Sequence, residues 1–177
     1  MRKLKNDELD RLTLEEFKET EKLPLVLILD NVRSMNNVGS AFRTSDAFAI
    51  EKIYLCGITA QPPHREINKT ALGATESVDW EHAENTATLC QNLQQQGYKV
   101  LAVEQADNST SLENFKIKKD QKYALVFGNE VFGVEDNVVE VADGCLEIPQ
   151  FGTKHSLNIS VSIGVVLWDL TSKIKFG

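Results

Sequence analysis

The sequence predicts an α/β fold in which helices cover both faces of a mostly parallel β-sheet. Three observations predict this class: short apolar runs recur along the chain, stretches with helical spacing separate them, and the composition is that of a globular domain. The chain has 177 residues, of which 42% are hydrophobic and 25% are charged, enough for one compact domain. We therefore expect a single domain at 23–177, preceded by a charged helical extension at 1–22.

The apolar runs predict five strands. They are short and rich in β-branched and aromatic residues, and several lack polar alternation, which is typical of strands buried on both faces of a parallel sheet. In chain order the runs lie at 25–29, 52–57, 99–104, 123–128 and 145–149.

Helices are expected between these strands and at both ends of the chain. In the extension, Thr13 and Glu16 have the spacing of a capping box and predict a short helix. Loops are expected at Pro62-Pro63 and at 107–113. The last helix is apolar on nearly every side, so it should be buried in the core or against another subunit. The longer predicted helices lie at 37–49, 84–96, 135–142 and 157–171.

Composition excludes several classes. Cys56, Cys90 and Cys145 are widely spaced and form no CxxC, so neither a disulfide framework nor a metal site is predicted. The amino terminus is charged where a signal peptide is apolar, and no run approaches the roughly 18 apolar residues of a membrane span. We expect a cytoplasmic protein that is not bound to a membrane.

The first candidate functional segment is NNVGSAFRT at 36–44. It follows the strand that ends near Asp30, so it should lie at the carboxyl edge of the sheet, where open α/β folds bind ligands. Gly39 and Arg43 share a helical face, and the missing side chain at Gly39 would leave Arg43 free to reach an anionic group. An exposed Arg43 paired with Asp46 is the alternative, and this segment alone leaves both open.

The second segment is FGNEVFG at 127–133. Its glycines have the spacing of a phosphate-binding loop, but Val134-Glu135 stands where Lys and Ser or Thr are required, which excludes a nucleoside triphosphatase. A dinucleotide fold is disfavoured because the chain has no GxGxxG. What remains is a tight turn that lets a ligand approach the main chain, with Glu130 as its only charge. The alternative is a strand-to-helix turn with a solvated glutamate.

The third segment is EIPQFGTKHSLNIS at 147–160. A strand ends at Pro149, a polar loop follows, and Ser156 can cap the apolar helix. Ser156 and Asn158 would then lie where backbone N–H groups are available to a ligand. The alternative gives Ser156 a capping role alone and makes Asn158 a turn residue.

In this order, and together with KTALGA at 69–74, the three segments resemble the motifs of the SpoU/TrmH family of RNA ribose methyltransferases, within the SPOUT superfamily. The resemblance covers about residues 23–170. It implies an α/β knot fold with a C-terminal trefoil knot, and a homodimer. It also implies that S-adenosylmethionine is the cofactor and that a ribose 2′-hydroxyl of tRNA or rRNA is methylated.

The resemblance also implies roles for individual residues. The family's catalytic arginine corresponds to Arg43, and its supporting polar residues correspond to Asn37, Glu130, Ser156 and Asn158. The residues that would contact the cofactor are Gly128, Ile148, Pro149 and Leu157.

The chemistry of the reaction leaves the role of Arg43 open. A ribose hydroxyl is barely ionised at neutral pH, so the site must supply both positioning and proton removal. The family is usually described with the arginine as base, yet a guanidinium is expected to stay protonated. We therefore expect Arg43 to be essential, as a phosphate ligand, as a stabiliser of the developing alkoxide, or as a base.

Alternatives differ in substrate and in class. The TrmH-like motifs favour tRNA over rRNA, with a D-loop guanosine as the favoured target, while Gln150 replaces a methionine common in the family and bears on the substrate subgroup. A catalytically silent, dimeric RNA-binding scaffold is a second hypothesis, disfavoured by the intact motif residues. An enzyme with a small-molecule acceptor is a third, supported only by the acidic charge.

The formal net charge of -7 argues at first against an RNA partner. The acidity is concentrated, however: residues 126–150 contain six carboxylates and no Lys or Arg. The loops around Arg43 and Lys154, where phosphate is expected to approach, lie outside that segment. The charge therefore predicts few phosphate contacts and a shallow salt dependence rather than another partner class.

Overall fold

One seven-stranded sheet organises the computed structural model, which describes residues 1–177 except for the side chain of Asn6. The strands are β1 Leu23–Asp30, β2 Ile50–Cys56, β3 Trp80–Ala83, β4 Tyr98–Val103, β5 Thr110–Ser111, β6 Lys122–Phe127 and β7 Gly144–Glu147. Their spatial order is β3-β2-β1-β6-β4-β7-β5, and every pairing between them is parallel. The predicted fold class is confirmed.

α-Helices form the connections from β1 to β2, β2 to β3, β3 to β4 and β6 to β7, as is usual between parallel strands. The α-helices are α1 Leu14–Glu19, α2 Met35–Ala47, α3 Arg65–Ala71, α4 Ala74–Ser77, α5 Thr86–Gln95, α6 Asp136–Val141 and α7 Ile159–Phe176. Short 3-10 turns lie at Asn6–Glu8 and Leu112–Asn114. The capping box is present, since Thr13 accepts a hydrogen bond from the Glu16 N–H and Glu16 accepts one from the Thr13 N–H.

Both faces of the sheet are covered. Leu25, Leu27 and Leu29 of β1 pack in a cluster with residues of α2, α3, α4 and α7. Val26 and Ile28, which point the other way because side chains alternate along a strand, pack in a second cluster with residues of α5 and α6. The continuous apolar run of β1 is thus explained by burial on both sides.

The sequence did not predict every element. β3 lies at one edge of the sheet and includes polar Glu81 and His82, so its pattern is too short and too polar to indicate a strand. The 107–113 stretch, predicted as a loop, contains β5, whose two residues pair with β7 at the other edge. A two-residue strand carries no periodicity that a sequence pattern could reveal.

The parallel arrangement brings the carboxyl ends of all seven strands to one edge of the sheet. β1, β6, β4 and β7 are consecutive there. The residues that follow these four strands therefore lie at the same edge, and they include all three segments singled out above, the first of which lies within α2. The trefoil knot implied by the family resemblance stays a prediction.

Candidate functional site

A cavity of about 770 Å³ opens at this edge of the sheet. Its walls come from the end of β4 and the residues after it, from the loop after β6, and from the loop between β7 and α7. Six of the sequence-predicted site residues line it: Gly128, Glu130, Ile148, Ser156, Leu157 and Asn158. Asn37, Pro149 and Arg43 are not among the lining residues.

Glu130 joins two of the predicted segments. One oxygen of its carboxylate accepts a hydrogen bond from the Arg33 N–H at 3.0 Å. The other accepts one from the Ser34 N–H at 3.0 Å and one from Asn37 Nδ2 at 3.0 Å. Arg33 and Ser34 precede α2, so the carboxylate ties the amino terminus of that helix to the loop after β6. Asn37 thus reaches the site through Glu130 rather than through the cavity wall.

These contacts set the charge of Glu130. Desolvation alone would raise the pKa of this carboxyl, but the hydrogen bonds from Arg33, Asn37 and Ser34 outweigh it and hold the pKa below its ordinary value. The group is therefore ionised at neutral pH, with donors already on both of its oxygens.

The loop after β6 is a tight turn, as predicted. Asn129 and Gly133 pair in an antiparallel bridge, with N–H to O=C distances of 2.8 and 2.9 Å. A Cβ at Gly128 would collide with the backbone of Gly133 and Val134, so only glycine allows the two backbone segments to pack this closely. The turn thus presents main-chain atoms to the cavity.

The loop between β7 and α7 forms another wall. The residue that caps α7 is Asn158, whose side chain accepts hydrogen bonds from the Ser160 N–H at 2.8 Å and the Ser160 hydroxyl at 2.6 Å. The prediction that Ser156 caps this helix is wrong. The helix begins at Ile159, two residues later than predicted, so Ser156 stays in the loop and lines the cavity.

Arg43 lies outside the cavity of its own chain, and its side chain is exposed on α2. Within the described residues it forms neither a salt bridge nor a hydrogen bond, and Asp46 instead accepts a hydrogen bond from the Ser77 hydroxyl. The expected role of Gly39 is wrong. A Cβ there would collide with the Ile67 carbonyl and the Thr70 hydroxyl, so Gly39 makes room for α3 and not for Arg43.

The cavity is acidic. Its lining includes Glu104, Glu130 and Asp136 but no Lys or Arg. Such a wall attracts cations and repels phosphate. Among the described side chains, no group of three or more His, Cys, Asp or Glu residues is arranged to hold a metal ion. None of the helices that the structure describes has the length and apolar character that a bilayer span requires.

Comparison with known protein families identifies this combination of fold and segments. The family model described as "SpoU rRNA Methylase family" matches residues 24–168. The chain belongs to the SpoU family. The match includes all three segments and the strands that precede them, and it ends within α7.

Two curated SpoU relatives and one solved structure show how far the similarity extends. A "Putative TrmH family tRNA/rRNA methyltransferase" of Staphylococcus aureus is 31% identical over 160 residues, which are 90% of this chain and 63% of that protein. The "23S rRNA (guanosine-2'-O-)-methyltransferase RlmB" of Neisseria meningitidis is 31% identical over 144 residues, 81% of this chain and 56% of that protein. The AdoMet-bound rRNA methyltransferase of Sinorhizobium meliloti superposes with a TM-score of 0.80 at 24% identity, covering 91% of this chain and 61% of that one.

The chain thus spans less than two thirds of the length of these relatives. The SpoU fold and family are shared over nearly all of this chain.

The sequence analysis missed two residues at the end of β1 whose hydrogen bonds hold the residues around the SpoU segments in place. Asp30 is fully buried at the end of β1, where it accepts hydrogen bonds from the Thr86 hydroxyl at 2.6 Å and the Glu135 N–H at 3.0 Å. Asn31 donates to the Glu135 carboxylate at 2.8 Å, and its carbonyl accepts a hydrogen bond from Asn129 Nδ2 at 2.8 Å. A charged residue that ends an otherwise apolar strand was the available signal.

Glu104 and Gln105, which follow β4, were also missed. The Glu104 carboxylate accepts a hydrogen bond from the Val134 N–H at 3.1 Å and holds the turn after β6 from its far side. Gln105 donates to the His155 carbonyl at 2.8 Å and holds the loop before α7. No motif in the sequence indicates either contact, because each joins segments far apart in the chain.

Proposed function

We propose that this chain is an RNA methyltransferase that uses S-adenosylmethionine to methylate a ribose 2′-hydroxyl. The main observation is that two of the three SpoU segments line one cavity, and that Glu130 in the cavity wall binds Asn37 of the remaining segment. We favour tRNA over rRNA, with a D-loop guanosine as the target. The N. meningitidis relative is named for guanosine, which supports the nucleoside but not the RNA.

The cavity fits the proposed cofactor. When bound, S-adenosylmethionine supplies a methyl group on a positively charged sulfur, and the acidic residues of the wall favour such a cation. Gly128 belongs to the turn that presents main-chain atoms to the cavity, and Ile148 and Leu157 of the lining would hold the ligand from the β7–α7 loop. Pro149, which does not line the cavity, would act by shaping that loop. The volume of about 770 Å³ lies within the usual range of small-molecule sites.

The position of Arg43 favours one of its three possible roles. Its guanidinium is exposed and lies outside an acidic cavity that repels phosphate. A phosphate of the RNA could therefore bind at Arg43 while the adjoining ribose enters the cavity. A guanidinium binds phosphate through paired hydrogen bonds and keeps its charge.

An apolar face of α7 supports a homodimer. Val161, Val165 and Trp168 follow one another at helical spacing and are 49%, 39% and 59% exposed. A second copy of the chain would cover them and could complete the RNA-binding surface. The three cysteines are free, which fits the proposed cytoplasmic location.

The function is tested by supplying the cofactor and RNA separately. Calorimetry should detect S-adenosylmethionine binding, and labelled methyl groups should enter bulk tRNA from cells that lack the gene. Mass-spectrometric mapping of ribose methylation, in RNA from cells with and without the gene, identifies the nucleotide. Binding without turnover on any RNA would favour the scaffold, and methylation in small-molecule extracts but not in RNA would favour a metabolic enzyme.

A further inference from the structure

Phe132 is an exposed aromatic side chain on the rim of the cavity. It is 83% exposed, although phenylalanine is among the residue types most often buried, and it belongs to the cavity lining. It lies in the loop after β6, beside Glu130. The ring is therefore not buried by packing against the cavity wall or the core, so packing does not account for its position.

The backbone that carries Phe132 is held firmly. Asn129 Oδ1 accepts hydrogen bonds from the Val131 N–H at 2.9 Å and the Phe132 N–H at 3.2 Å. The Asn129–Gly133 bridge closes the turn, and Gly133 adopts a φ of 71° that favours glycine. A ring on such a turn is presented to a ligand with little backbone entropy left to lose on binding.

The negative charge of the cavity limits which group of a ligand can contact the Phe132 ring. Glu104, Glu130 and Asp136 repel a phosphate group but not an uncharged, flat nucleobase. RNA-binding proteins commonly stack unpaired bases on aromatic side chains. We propose that Phe132 stacks on the base of the nucleotide whose ribose is methylated, and so positions that ribose at the cavity. This inference rests on the proposed function.

The test uses three substitutions of Phe132 and one matched control. Phe132→Ala removes the ring, Phe132→Leu keeps an apolar side chain without it, and Phe132→Tyr keeps it. Phe176→Ala is the control, because Phe176 is also exposed, at 80%, but ends α7, roughly 27 Å along that helix from the cavity. The probe is bulk tRNA or bulk rRNA from cells that lack the gene, whichever the unaltered chain methylates.

Loss of stacking should weaken filter binding of that RNA about 5- to 150-fold in Phe132→Ala and Phe132→Leu. The kcat/KM for RNA should fall by a similar factor. Phe132→Tyr and Phe176→Ala should stay within about twofold of the unaltered chain. The dissociation constant of S-adenosylmethionine and the oligomeric state should not change in any of the four.

Each other outcome overturns the inference. Weakened cofactor binding would place the ring against the cofactor's own adenine, and loss of the oligomer would place it in a subunit interface. Normal RNA binding by Phe132→Leu would show that any apolar side chain suffices at this position and that the ring does not stack on a base. If the unaltered chain neither binds nor methylates any RNA, the proposed function itself fails, before any variant is compared.

Discussion

At the scale of single residues, Glu130 is a positioning group. Both oxygens of its carboxylate already accept hydrogen bonds, from Arg33, Ser34 and Asn37. A carboxylate engaged in this way is poorly suited to take a proton from a substrate, because most of its acceptor sites are already occupied by donors at the start of α2. Its hydrogen bonds connect two SpoU segments, and we propose that this connection is its role.

Replacing this carboxylate should loosen the site. In Glu130→Gln one acceptor oxygen becomes an NH2 group that faces backbone donors, at a cost of about 1 kcal/mol in the free energy of unfolding, and cofactor affinity should fall as well. Urea denaturation and calorimetry measure the two effects. Glu140→Gln is the control, because Glu140 is exposed on α6 and its substitution removes the same charge. Equal effects of both variants would contradict the positioning role.

The contribution of Glu130 should also depend on pH. Because the pKa of the folded carboxyl lies below its ordinary value of about 4.5, its stabilisation is fully present above that value. It is lost as the pH falls through the lower, folded pKa. The difference in unfolding free energy between the unaltered chain and Glu130→Gln should therefore be constant near pH 7 and shrink in acid. A difference that grew in acid would contradict this sign.

Arg43 should be needed for its shape as well as its charge. Arg43→Lys keeps the positive charge but loses the paired N–H groups that match a phosphate. We expect methylation to fall at least tenfold, about 1.4 kcal/mol, while cofactor binding is unchanged. Arg65→Lys, at an exposed position on α3, is the control in the same methyl-incorporation assay. Near-normal methylation by Arg43→Lys would show that the guanidinium does not matter.

At the scale of elements, the sequence predicted the strands and helices that have a clear pattern of apolar residues. The apolar runs that became β1 and β6 were found because both faces of these strands are buried. Helix α3 was missed because its seven residues include polar Glu66, Asn68 and Lys69, and too few apolar positions to show a helical period. Of the site, Glu130 and its turn could be predicted from motifs, whereas the Glu104 and Gln105 contacts depend on tertiary packing.

The start of α7 offers a test at this scale. Asn158→Ala removes the cap and should lower the free energy of unfolding by about 1 kcal/mol. Ser156→Ala should change it by no more than about 0.5 kcal/mol, because the Ser156 side chain lies exposed in the loop. Urea denaturation of both variants compares them directly. A larger loss from Ser156→Ala would restore the original assignment of the cap.

At the scale of the whole molecule, charge and apolar surface are separated. Three carboxylates and no Lys or Arg line the cavity, while Val161, Val165 and Trp168 form an apolar face along α7. Trp168 also contacts Phe48 at the end of α2, with ring centroids 6.3 Å apart. The apolar face is therefore continuous with the helix that carries Arg43.

Charges on this face should prevent self-association. The double substitution Val161→Asp and Val165→Asp places two carboxylates where the proposed homodimer buries apolar surface, so the chain should become a monomer. Size-exclusion chromatography with light scattering measures the mass. Leu72→Asp is the control, because Leu72 is 65% exposed outside α7. A dimer that survives the double substitution would place the interface elsewhere.

The cysteines should report on unfolding of the whole chain. Burial raises the pKa of the Cys56 and Cys90 thiols to about 12, so only about one molecule in ten thousand carries either thiolate at pH 8. Iodoacetamide should modify neither in the folded protein, whereas in urea it should modify both. Mass spectrometry after timed quenching follows the reaction. Fast modification of Cys90 under native conditions would mean that the α5 side of the sheet opens locally.

The strand order also bears on how the chain is made. β1 pairs with β2 after a single intervening helix, but its other neighbour, β6, is synthesised only after four further strands. Contacts between distant parts of a chain form slowly. The cavity needs the β6 turn and then the still later loop before α7, so it cannot form until synthesis has passed Asn158. A ligand of the cavity can stabilise these loops once they have been made, but it cannot guide the earlier pairing of β1 with β2.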